Sequence, residues 1–110
     1  MNLVMRGLNV AVSEAIRGHV ERRLTFAVGR FANHVRQVNV RLSHDSAHRR
    51  GIDKRCQIEI RMRTQGPVWV DAIDADLYTA IDLAADRLGH VLPREIAKVR
   101  TPVRLLAKAS

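Results

Sequence analysis

Apolar and polar residues alternate over 37–43, "QVNVRLS", with Val38, Val40 and Leu42 falling on one side. A two-residue period of this kind predicts a strand with one face buried and one wet. Residues 54–63, "KRCQIEIRMR", repeat it. Cys56, Ile58, Ile60 and Met62 point one way, and Arg55, Gln57, Glu59, Arg61 and Arg63 the other. After the turn signal Gly66-Pro67, residues 68–73, "VWVDAI", predict a further strand. Residues 2–6 predict a first one, ending at Gly7.

Elsewhere the period is helical. Ile16, Val20, Leu24, Ala27 and Phe31 predict a helix over about 14–32, with Ser13 as its N-cap and Glu14 at its positive dipole end. Leu77, Ile81, Ala84, Leu88 and Val91 predict a second helix, entered through Asp74 or Asp76. Pro93 has no N–H to give the Gly89 carbonyl and disfavours a helical Leu92, so this helix is expected to end or kink near 90–92.

The order is then β-α-β-β-β-α, an α+β class with a four-stranded sheet and two helices packed on one face. The last three strands are expected to form an antiparallel meander whose other face is wet. One domain over 1–92 followed by a basic C-terminal tail over 93–110 is the expected organisation. A polar loop, "HDSAHRRGID", joins the second and third strands.

Charge adds the first functional information. The formal net charge is +8, from 19 Lys and Arg against 11 Asp and Glu, which points to a polyanionic partner. Residues 71–86 run against this, with five acids and no base. At about 100° per residue, His19, Arg22, Arg23, Phe26 and Arg30 share one sector of the first helix. Arg87, His90, Arg94 and Lys98 share one sector of the second, provided it runs that far. Two such stripes on neighbouring helices predict one basic surface with a groove between them, suited to RNA or DNA. Asp82 and Asp86 are expected on an outward face.

The remaining candidates read more simply. Cys56 alternates inward and reads as a small core residue; with no other cysteine, no disulfide forms within the chain. A lone thiol fits a reducing compartment. His44 and His48 have metal-ligand spacing only on a helix, and here they fall in a loop without a third ligand. Trp69 alternates onto the open sheet face, as cross-strand cover or a base-stacking platform. No phosphate-cradling glycine loop, nucleophile–base pair or metal set is visible. A non-enzyme without cofactor or small-molecule substrate follows. The opening "MNLVMRGLNV" lacks the apolar core of a signal peptide, and no run is long enough to span a membrane. A cytoplasmic protein is the expectation.

Two motifs carry a resemblance. "MNLVMRGLNVAVSEAIRGHVERRL" resembles the opening of the ribosome hibernation factors: a strand, a glycine, a Ser-Glu-Ala helix start, then a basic-basic-Leu end. "DADLYTAIDLAADRL" is similar to their second signature, Asp-x-Tyr-x-Ala-Ile-Asp followed by Asp-Arg-Leu. The resemblance covers about residues 1–92 and corresponds to the short form of the family. It implies binding to small-subunit ribosomal RNA, in the channel used by mRNA and tRNA, which blocks translation in stressed or stationary-phase bacteria. It places Arg22, Arg23 and Arg87 against that RNA. The dense run of bases usual after the second motif is replaced by "GHVLPREIAKVR". A protein-interaction or general RNA-binding module on the same fold, with a weakened ribosome-binding face, is therefore the alternative.

Overall fold

The computed structural model describes residues 1–44 and 53–109, and over 100–109 the course of the backbone only. Four strands, β1 (Leu3–Leu8), β2 (Val35–His44), β3 (Lys54–Met62) and β4 (Val68–Asp74), form one sheet in the order β1-β2-β3-β4. The expected meander is present: β2 pairs antiparallel with β3, and β3 with β4. β1 lies parallel to β2, which the intervening helix makes possible by carrying the chain back to its starting end. The sheet is thus mixed, with two helices, in the α+β arrangement expected.

Helix α1 (Glu14–Val28) starts where the Ser13 side chain accepts a hydrogen bond from the Ile16 N–H at 3.2 Å. It ends earlier than its apolar spacing suggests. From Gly29 to His34 the chain tightens into a 3₁₀ segment that holds Phe31, consistent with the low helix propensity of Gly29. Helix α2 (Leu77–Ala109) starts at Asp76, whose carbonyl accepts from the Ala80 N–H and whose carboxylate accepts from the Thr79 hydroxyl.

The expected break in α2 near 90–92 is absent. The helix is continuous through Pro93 for 33 residues. Leu92 and Ile96, on either side of the proline, are both buried in the core, so tertiary packing outweighs the local cost of one lost hydrogen bond. Gly89, whose carbonyl loses its partner, is exposed, and water can replace the missing donor. The helix therefore crosses the anticipated domain boundary at 92/93.

One apolar layer separates sheet and helices. Val38, Val40, Leu42, Cys56, Ile58 and Ile60 face Val20, Leu24 and Val28 of α1 and Ile81, Ala84, Leu88 and Leu92 of α2. Each large side chain buried this way contributes about 1.5–3 kcal/mol. Burial pushes the Cys56 thiol up to about 12, with Asp71 adding to the effect. At Gly7 a side chain would run into the Val10 carbonyl oxygen, so the close return of the chain after β1 requires glycine there.

Candidate nucleic-acid interface

Helices α1 and α2 lie side by side, and their shared edge is polar. On α1, His19 and Arg23 are one turn apart and face α2; on α2, Tyr78, Asp82 and Asp86 follow at four-residue spacing and face back. His19 Nε2 is 2.7 Å from Asp82 Oδ1, and its ring meets Tyr78 edge-on at 5.1 Å. Arg23 Nη2 donates to Asp86 Oδ1 at 2.6 Å and to the Asp82 carbonyl at 3.2 Å. Its Nε is buried 3.2 Å from Asp82 Oδ1, outside hydrogen-bonding geometry, so that contact is ionic.

This seam changes the picture of one basic groove. Asp82 is half-buried and Asp86 is exposed, and both pair with the two bases nearest α2 rather than standing alone in solvent. The free cations lie to either side. Arg22 on α1 and Arg30 in the following 3₁₀ segment are exposed, and Phe26, between them in sequence, is 86% exposed. The Arg30 guanidinium lies 4.8 Å from the centre of the Phe31 ring. On α2, His90 and Arg94 are exposed with no hydrogen bond or ion pair among the described residues. Arg87 donates to the Asp71 carbonyl and Lys98 pairs with Glu95 at 3.1 Å, yet both remain exposed. The eight bases thus divide: His19 and Arg23 hold the helices together, and Arg22, Arg30, Arg87, His90, Arg94 and Lys98 line the outer surface. Because α2 passes through Pro93, Arg94 and Lys98 stay on the helix that carries Arg87.

Spacing alone could not distinguish these groups, because it gives a residue's phase on its own helix but not which neighbour it meets. A signal was present, however. The acids of the second motif, Asp82 and Asp86, occur where a solvated face of a basic protein has no need of them.

His44 is bonded to Asp53 at 2.7 Å, and Lys54 joins the same carboxylate at 2.9 Å. These bonds, led by that from Lys54, hold Asp53 below the usual carboxylate range. His48 lies outside the described residues. Among the described residues no three of His, Cys, Asp and Glu converge as a metal site, and no helix is long and apolar enough to cross a membrane. Trp69 is 59% exposed on the open sheet face.

Known proteins share this fold. The chain is 34% identical to the N-terminal domain of Protein Y from Thermus thermophilus, with a TM-score of 0.71, over 86% of this chain and 98% of that one. A ribosomal subunit interface protein from Coxiella burnetii has the same fold at 19% identity, with a TM-score of 0.73, over 88% of this chain and 99% of that one. Among curated relatives, the ribosome hibernation promotion factor of Bacillus subtilis is 32% identical over 106 residues, covering 94% of this chain and 53% of its own. The chloroplastic ribosome-binding factor PSRP1 of Spinacia oleracea is 28% identical over 110 residues, covering 94% of this chain and 33% of its own. The chain thus spans between a third and about half the length of these curated relatives. Residues 3–100, which take in both motifs and the seam that joins them, match the family described as sigma 54 modulation protein / S30EA ribosomal protein, and to that family this chain belongs.

Proposed function

We propose that this chain is a non-enzymatic ribosome-binding factor of the hibernation type, acting in the bacterial cytoplasm under stress or in stationary phase. It binds small-subunit ribosomal RNA in the mRNA and tRNA channel and so holds translation off. Family membership and the names of the relatives support the ribosome as partner. The observation that carries the choice of surface is Phe26, an aromatic side chain 86% exposed and lying in sequence between the exposed bases Arg22 and Arg30. The fold makes no use of it, and an exposed aromatic on a surface that also carries exposed arginines suits stacked bases and phosphates. On α2, His90 and Arg94 extend the surface, with Arg87 and Lys98 keeping donors to spare.

Pelleting with ribosomes over a salt series tests this. The protein should co-sediment at low salt and be released as salt rises. Arg22→Ala and Arg30→Ala should each reduce the slope of log affinity against log salt by somewhat under ~1. Arg63, exposed beyond the end of β3, is the charge-matched control. Equal losses from Arg63→Ala would reduce the effect to bulk charge, and absence from the ribosome pellet at near-physiological salt would reject the reading.

A further inference from the structure

The sheet face turned away from the helices is not a plain solvated surface. It forms a concavity of about 470 Å³ lined by Arg6, Arg41, Asn39, Gln57, Arg61 and Trp69 among others. Arg6 and Arg41 occupy directly paired register positions on β1 and β2. Both are exposed, and neither has a hydrogen bond or ion pair among the described residues. Like charges set side by side across a strand pair repel. The acids of this face do not relieve them. Asp71 is taken by Arg55 at 2.5 Å, and Glu59 by Asn39 at 2.9 Å and Arg61 at 3.3 Å. At the far edge, on β4, Trp69 is 59% exposed and makes no ring contact among the described residues.

We infer that this face binds a short stretch of single-stranded RNA, with one base stacked on Trp69 and phosphates held between Arg6 and Arg41. Three strand spacings, ~14 Å, separate β1 from β4, so one nucleotide cannot fill both positions and an oligonucleotide is required. Between the two ends, the Gln57 side-chain amide offers donors and an acceptor to base edges, which only an unpaired strand exposes, and Asn39, whose amino group is engaged by Gln37 and Glu59, offers its carbonyl oxygen. A duplex presents no free base to Trp69. The surface stands apart from the helix face; only the choice of RNA over DNA rests on the ribosomal reading above.

Trp69 is the one tryptophan of the chain, so its fluorescence reports on this face alone. Titration with a single-stranded RNA hexamer should quench it saturably, whereas duplex RNA should leave it unchanged. Measured by anisotropy of the labelled hexamer, Trp69→Ala should weaken binding about fivefold or more. Arg6→Ala and Arg41→Ala should each lower the salt slope by ~0.7, while Arg17→Ala, at an exposed base on α1 outside both surfaces, leaves it unchanged. Absent quenching, or unchanged binding by the Trp69 and Arg6 variants, would overturn the proposal. Tighter binding of the matching DNA hexamer would overturn the assignment to RNA. Equal quenching by poly-glutamate would do the same in favour of an acidic protein segment. Intact ribosome pelleting without quenching would sink this surface and spare the ribosomal reading, and quenching without pelleting would do the reverse.

Discussion

Arg23 on α1 and Asp86 on α2, 63 residues apart in sequence, meet at 2.6 Å across the seam between the helices. Arg22, its neighbour in the chain, points to solvent. Adjacent arginines of one basic motif therefore have different work. Arg23→Ala should lower stability by about 1 kcal/mol, and its coupling to Asp86→Ala should be ~0.5 kcal/mol, kept small by the solvent around Asp86. Arg22→Ala should change stability by less than ~0.5 kcal/mol. Urea unfolding of the two single variants and the double variant measures all three. A larger loss from Arg22→Ala than from Arg23→Ala would contradict the seam.

Pro93 lies inside a continuous helix, where proline is about 3 kcal/mol less favourable than alanine. Pro93→Ala lets residue 93 donate to the Gly89 carbonyl and should raise stability by about 1–3 kcal/mol. A rise in the midpoint of chemical denaturation would be the sign. A fall would mean that the proline fits a local bend needed to seat Leu92 and Ile96.

Ile96 is the last core residue of the described side chains, 7% exposed. Ile96→Ala should cost about 2 kcal/mol, near the lower end for a buried isoleucine because the site is at the margin of the core. Truncation after Val99 keeps Ile96 and should leave the melting temperature nearly unchanged. A drop of several degrees on that truncation would show that residues beyond 99 contribute to the body.

Cys56 is fully buried, and its thiol is pushed up to about 12 from an ordinary value near 9. The folded protein should resist a thiol reagent such as DTNB at pH 8 and react stoichiometrically once unfolded. The stability contribution follows in sign. It is fully present below about pH 9, where both states keep the proton, and is lost towards pH 12 as the unfolded chain ionises first. Rapid labelling of the native protein would contradict this placement.

The strands β2, β3 and β4 were legible in the sequence because their two-residue period is strict and the turn residues between them are strong. The first helix was legible through its stripe and its serine cap. Three features were not. The parallel docking of β1 depends on the path of the chain through α1, which no local pattern records. The run of α2 through Pro93 depends on Leu92 and Ile96 finding core partners, and a local propensity argument weighs only the lost hydrogen bond. The engagement of His19 and Arg23 depends on the rotation of one helix against the other. Each miss has the same physical origin: a local rule met a tertiary contact worth more.

β1 has consequences for how the molecule opens. It is an edge strand, paired only with β2, and Leu3 and Met5 are only half-buried against the core. An element with one neighbour and little burial should be the first of the sheet to exchange its amide hydrogens, ahead of β2 and β3. Arg6 departs with it, so the arginine pair on the open face exists only while β1 is docked. A ligand that spans Arg6 and Arg41 would be linked to that local opening and would slow exchange in β1 selectively. Protection of the N-terminal strand is thus a readout of what occupies a face whose tryptophan sits at the opposite edge of the sheet.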